Sequence, residues 1–245
     1  MITAFAKSDV GKNRSKNEDF YCMADINKQI QLYIVADGMG GYNGGEIASK
    51  LATTTAKNYI LNNFKEISKE KEEILKLVHN SIEYANMVVY EKSKEEKELE
   101  GMGTTLEICL IYNNRAYIGH VGDSRIYRIR KNIIRKLTTD HSYVQKLVND
   151  GTITKEQAES HPKKNMLMKA LGCTAFVEPD VMVKNFIKDD ILIISSDGLT
   201  NMVKEKEIFE IATRESAENA TIELIKKANE NGGLDNITVV VVKNI

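Results

Sequence analysis

No apolar run in the 245 residues approaches the roughly 20 needed to cross a bilayer, which excludes a membrane-spanning helix. Charge of one sign is missing too. The 34 Lys+Arg nearly balance the 35 Asp+Glu, leaving −1, so nothing points to nucleic acid or a membrane surface as partner. The N-terminus lacks the basic-then-apolar layout of a signal peptide, and a cytoplasmic chain is expected. Cysteine is scarce: Cys22, Cys109 and Cys173 cannot pair completely, and none lies in a CxxC spacing. That argues against structural zinc and against a cysteine nucleophile. Cys109, inside the apolar run Leu106 to Ile111, reads as a small core hydrophobe. There is no Pro/Gly/Ser-rich linker and no internal repeat, so residues 1–245 are expected to form one domain.

What is present is an ordinary globular composition, 42% apolar and 28% charged, long enough to bury a substantial core. Short strands are expected at 2–8 and 20–24 around the polar loop Gly11 to Asp19, and a buried strand at 30–36. Helices are expected at about 45–62 and 69–98. In the second, Ile74, Val78, Ile82, Ala85 and Val89 fall at three- and four-residue steps and form one buried stripe. Residues 103–111, 115–121, 124–130 and 133–137 read as an antiparallel meander, with Asn113-Asn114 as a hairpin turn. Residues 141–172 are polar and mixed and look like an insertion over the sheet. Strands at 181–187 and 190–195, helices at 204–213 and 216–230, and a strand at 236–243 complete the chain. Strand and helix do not alternate regularly, so an α+β layered domain is expected, with helix pairs packed on antiparallel sheets.

The segment Val35-Ala36-Asp37-Gly38-Met39-Gly40-Gly41 puts a carboxylate at a strand end before a cluster of glycines. Anionic oxygen beside bare backbone suits a hard cation or a phosphate, although Asp-Gly is also a turn signal. Two phosphate-binding loops fail here. A dinucleotide fingerprint would need glycine at Asn43, and a Walker loop would need lysine at Glu46. No GxSxG or HExxH occurs.

Three further acids lie beside strand sequence and next to Gly, Ser or Asn: Asp123, Asp197 and Asp235. Aligned strand ends would gather all four at one edge. Crowded carboxylates repel and take up protons, and a divalent cation removes that conflict. With oxygen donors only and no His/Cys set, the implied metals are Mg2+ or Mn2+. Each acid taken singly could equally cap a helix or make a turn. Arg14, in the polar loop with Glu18 and Asp19, is the natural clamp for a phosphoryl group.

The ordered set Arg14-Ser-Lys-Asn17-Glu18-Asp19, Val35 to Gly41, Gly103-Thr104-Thr105, Gly122-Asp123-Ser124-Arg125, Asp140-His141-Ser142, Ala170-Leu171-Gly172, Ser196-Asp197-Gly198-Leu199 and Asp235-Asn236-Ile237-Thr238 covers nearly the whole chain. It resembles the metal-dependent protein phosphatases of type 2C (the PPM family) in their short bacterial form. The resemblance implies a central antiparallel β-sandwich flanked by pairs of antiparallel helices, a four-layer αββα arrangement, with 141–172 as a flap. It implies a serine/threonine protein phosphatase using two Mn2+ or Mg2+ per chain, with a possible third. Asp37 would bridge the two metals, the Gly38 carbonyl would join one, and Asp197 and Asp235 the other. Asp123 with Asp197 would hold the third. Glu18 and Asp19 would act through metal-bound waters, with Asn236 in the outer shell, and Arg14 would hold the substrate phosphate. The implied mechanism is in-line attack by a metal-bridging hydroxide, with no phosphoenzyme.

Many eukaryotic relatives carry His directly after the Asp-Gly, where this chain has Met39, so the leaving oxygen must be protonated by something else. Water on the third metal is one source, with His141 and His161 as weaker candidates. His120 is expected in the core and His79 on a helix surface. Partners implied are phosphorylated proteins and an antagonist serine/threonine kinase, and the chain is expected to be a monomer. Two other functions are consistent with the sequence: a non-catalytic phosphatase-like sensor, and a hydrolase of small phosphate esters.

Overall fold

Residues 1–27, 30–40 and 44–245 are described by a computed structural model. The chain begins with β1 (Ile2–Asp9), β2 (Asp19–Asn27) and β3 (Ile30–Met39), then α1 (Gly44–Asn63) and α2 (Lys71–Glu95). Next come β4 (Gly103–Thr104), β5 (Leu106–Tyr112), β6 (Arg115–Val121), β7 (Arg125–Arg130) and β8 (Ile133–Lys136). Two short helices follow, α3 (Tyr143–Asn149) and α4 (Lys155–Glu159), then β9 (Asp180–Asn185) and β10 (Ile191–Ser195). The chain closes with α5 (Asp197–Thr200), α6 (Glu205–Arg214), α7 (Ala217–Glu230) and β11 (Ile237–Asn244).

The strands form two antiparallel sheets, ordered β1-β11-β10-β7-β8 and β2-β3-β5-β6-β9, with β4 added to the end of β3. Side chains alternate between faces along each strand, so each strand feeds two cores. On β3, Leu32, Ile34 and Ala36 pack under α1 and α2, while Tyr33 and Val35 face the other sheet. On β11, Val239 and Val241 pack under α6 and α7, while Val240 and Val242 face inward. The layers are therefore helices, sheet, sheet, helices. The helix patterns account for their packing: Ala48, Ala52, Ala56 and Ile60 are buried at four-residue steps on α1, and the predicted stripe of α2 is buried throughout.

Two expectations change. The four-strand meander is split, because β6 pairs with β5 and β9 whereas β7 pairs with β10 and β8. The chain crosses between sheets at Gly122-Asp123-Ser124, where the inner side chains switch partner sheet. Asp37-Gly38 is not a turn, since β3 runs on through Met39 by pairing with β4. Asn113 (φ 48) and Asn114 (φ 57) do form the expected hairpin turn, and Lys131 (φ 48) and Asn132 (φ 60) form a second one. Gly41, Tyr42 and Asn43, part of the glycine stretch weighed above, lie outside the described residues.

Candidate active site

The inner rows of the sandwich change from apolar to polar at one end. Continuing the inward-facing register of Tyr33 and Val35 reaches Asp37; on β2 that row contains Asp19 and Tyr21. The same parity carries Cys109 to Glu107 on β5, Ile118 to His120 on β6, and Val240 to Thr238 on β11. One period-2 pattern thus builds both the sheet-to-sheet core and the polar floor beyond it.

Hydrogen bonds lock this floor. Asp19 and Asp37 are cross-strand partners. The Asp37 N–H donates to Thr105 Oγ1 (2.9 Å), and its carbonyl accepts from the Thr105 N–H (2.9 Å) and the Thr104 hydroxyl (2.9 Å). The Thr105 hydroxyl meets that of Ser124 at 2.8 Å, tying Asp37 to the corner that carries Asp123. Ser196 donates to Asp19 Oδ2 (2.7 Å) and accepts from the Thr238 N–H (3.0 Å). Asn236 accepts from the Glu18 N–H (2.8 Å) and donates to the carbonyls of Val10 and Lys16 (both 2.9 Å), which fixes the loop before β2. Asn201 Nδ2 donates to Asp197 Oδ2 at 2.9 Å.

Two glycines are there for close approach. A Cβ on Gly38 would lie 2.1 Å from the Gly45 carbonyl oxygen, and one on Gly198 would lie 1.9 Å from that of Asn236. The start of α1 and the strand start at β11 can therefore press against the acid-bearing backbone.

The acids feel one another. Desolvation, then the charges of Asp19, Asp197, Asp123 and Asp235, push the Asp37 carboxyl well above its ordinary range. Asp123 is pushed up to about 8 by desolvation and then by Asp197 and Asp140. Asp19 is raised to about 7, first by desolvation, while Asp197 is raised by desolvation and then Asp235. Glu18 is raised by its partial burial. Asp19 Oδ1 is buried with no hydrogen-bond partner among the described residues. An oxygen-only set of desolvated carboxylates with an orphaned buried oxygen fits hard divalent cations. The set is broader than a single-ion cage. Among the described residues, only His79, Glu83 and Glu178 place three such ligand atoms within 4.8 Å of one another. That surface triple is a poor cage, since its two imidazole nitrogens face different glutamates, Nδ1 to Glu83 at 3.4 Å and Nε2 to Glu178 at 3.3 Å.

Arg14, exposed at the rim, reaches Asp235 Oδ2 with Nη2 at 2.9 Å. A cavity of about 1130 Å³ opens beside the acids, with Asp123 and Asp197 in its wall and α3 and α6 across from them. Neither His141 nor His161 is among the residues lining it. His141 instead sits behind the corner, where its Nδ1 accepts from the Gly122 N–H at 3.2 Å. His120, buried as expected, contacts Glu107 through Nδ1, and its Nε2 donates to the Thr139 carbonyl at 2.8 Å. Thr105, Ser124 and Ser196 stand in the motifs quoted above without an assigned role, and Asn201 and Glu107 stand in none of them. Inner-face parity is the signal that finds three of them, Thr105, Glu107 and Ser196, because each continues a row whose apolar members are already recognisable.

A family model described as "Protein phosphatase 2C" matches residues 11–229. The serine/threonine phosphatase stp of Listeria monocytogenes is 40% identical over 241 residues, 97% of this chain and 94% of that protein. The solved serine/threonine phosphatase of S. agalactiae superposes with a TM-score of 0.91 at 38% identity, covering 100% of both chains. The catalytic domain of the serine/threonine phosphatase PstP, solved in complex with two manganese ions, gives a TM-score of 0.86 at 33% identity, covering 99% of this chain and 97% of that one.

Proposed function

The chain belongs to the protein phosphatase 2C family, and on that premise we propose that it hydrolyses phosphoserine and phosphothreonine in proteins with Mn2+ or Mg2+ held at the acidic end of the sandwich. Asp37, the Gly38 carbonyl, Asp197 and Asp235 are the groups assigned to two ions, and Asp123 with Asp197 to a third. The two manganese ions in the PstP structure support that choice of metal. When bound, the ions supply charge neutralisation at the phosphoryl oxygens and a lowered pKa for the attacking water, so no covalent phosphoenzyme is needed.

The chain's own groups supply positioning. Arg14 reaches Asp235 through one nitrogen and has further N–H donors for phosphoryl oxygens. Asn236 holds the loop that presents Arg14 and Glu18, Asn201 orients Asp197, and the Thr105–Ser124 contact sets Asp37 against the Asp123 corner. Preset geometry of this kind is where rate enhancement is expected when catalysis is mainly electrostatic.

The observation that carries this reading is the inner-face register that brings Asp19 and Asp37 together as cross-strand partners and ties Asp37 through Thr105 and Ser124 to the Asp123 corner, with Asp19 Oδ1 buried and unpartnered among the described residues. The substrate esters imply a serine/threonine kinase acting on the same proteins. The test is hydrolysis of a phosphothreonine peptide during Mn2+ titration. Phosphate release should rise with metal, stop on chelation and be lost in Asp37→Asn. Absence of release at saturating Mn2+ contradicts the reading.

A further inference from the structure

The cavity beside the acids is larger than a phosphorylated side chain requires. At about 1130 Å³ it exceeds the roughly 300–1,000 Å³ typical of small-molecule pockets. Its walls come from the β7–β8 hairpin, from α3 and α4 with the residues after them, and from α5 and α6. Of the acids assigned to the site only Asp123 and Asp197 line it, so it extends away from Arg14, Asp37 and Asp235. The remainder is open to the residues that flank the phosphorylated side chain.

The charge of that remainder is lopsided. Of the acids in the wall, Asp123 and Asp197 belong to the site already described. Asp140 is buried and consumed by Arg125 (2.7 Å) and Lys136 (3.0 Å). What is left is Arg135, Lys155, Lys164, Lys204 and Lys206 against Glu159 and Glu205. The chain as a whole is at −1, so this is a local departure and not a reflection of composition. Arg135, Lys155, Lys164 and Lys204 form no salt bridge with another described residue, and Lys206 touches only Glu210, at 4.0 Å on the exposed face of α6. Between the cations the wall is partly apolar, with Val144, Val148 and Met202, which suits side chains of an extended segment.

We propose that this basic cavity binds the residues flanking the phosphorylated serine or threonine and selects segments rich in Asp, Glu or further phosphate. The inference rests on the phosphatase reading above and adds the class of substrate. The cations are solvent-exposed and individually weak, so the preference is built from several contacts and is sensitive to salt.

The experiment compares three phosphothreonine peptides of equal length, flanked by Asp/Glu, by Ala or by Lys, in saturating Mn2+ at low and high salt. Three such exposed contacts together should give the acidic peptide about a tenfold higher kcat/KM than the lysine peptide, mostly through KM. The advantage should shrink at high salt. In a Lys155→Glu/Lys164→Glu/Lys204→Glu variant it should reverse, while turnover of p-nitrophenyl phosphate stays as in the parent. Equal kcat/KM for the three peptides, or an acidic preference that survives the charge reversal, overturns the proposal and leaves the phosphatase reading standing. No hydrolysis of any peptide or of p-nitrophenyl phosphate overturns both.

Discussion

Arg14 Nη2 lies 2.9 Å from Asp235 Oδ2, so the group assigned to the substrate phosphate rests on a group assigned to a metal, 221 positions away in sequence. The pair is solvent-exposed and contributes little to stability. Its consequence would be functional, because on the proposed assignment a cation would share the Asp235 carboxylate with the Arg14 guanidinium.

Arg14→Ala should therefore separate two affinities. Loss of a charged hydrogen bond of about 1.5–3 kcal/mol should raise KM for a phosphopeptide. Mn2+ affinity should be unchanged or tighter, since a neighbouring positive charge is gone. Saturation kinetics and a calorimetric Mn2+ titration check this, and an unaltered KM would count against the clamp.

The acids make stability fall with pH in metal-free protein. A carboxyl whose folded pKa is raised binds more protons folded than unfolded, so its contribution is present below the unfolded value near 4 and is lost as pH rises through the folded one. The fall therefore begins above pH 4 and ends near 7 for Asp19 and near 8 for Asp123, with Glu107, at about 7, adding the same sign, so stability is still declining from pH 6.5 to about 8. His141, lowered to about 4, acts oppositely, but most of its gain lies below the ordinary imidazole value of 6.5 and only its small tail falls in this window. Denaturant unfolding in chelator should show a drop on the order of 2 kcal/mol over this window. Saturating Mn2+ should flatten or invert it. A metal-free stability that rises from pH 6.5 to 8.5 is the contrary result.

Glu107 and His120 are buried register partners on β5 and β6, joined side chain to side chain between the two sheets. Removing one member leaves the other without its counter-charge. His120→Ala should cost about 3–5 kcal/mol by equilibrium unfolding. A change below about 0.5 kcal/mol, the size expected of ordinary surface sites, would show that the pair is not held as described.

Gly38→Ala tests the close approach at the end of β3. The added methyl would meet the Gly45 carbonyl oxygen at 2.1 Å, which forces α1 away from the acid-bearing strand. Activity should fall strongly, with about 1–3 kcal/mol of stability lost to overpacking. Unchanged kinetics would mean that α1 can shift freely, contrary to its buried alanine face.

Much of the layering was legible because burial imposes periods that sequence displays. The α2 stripe and the buried apolar run of β3 are visible as text, and so is the Asn113-Asn114 turn. The split of the meander was not. Ile118 to Val121 and Ile126 to Ile129 both read as strand on either side of Asp123, and strand sequence carries no mark of which sheet it joins. The extension of β3 through Gly38 was hidden for another reason: its partner is the two-residue β4, with too little sequence to signal a strand. Of the site, the acids were findable by type and position, whereas Thr105, Ser196 and Glu107 look like any strand polar residue until parity is traced from the core.

Anomalous diffraction at the manganese edge, from crystals grown in Mn2+, tests the central claim most directly. Two peaks should appear among Asp37, Gly38, Asp197 and Asp235. Absence of density there, or peaks confined to a surface cluster such as His79, Glu83 and Glu178, would contradict it.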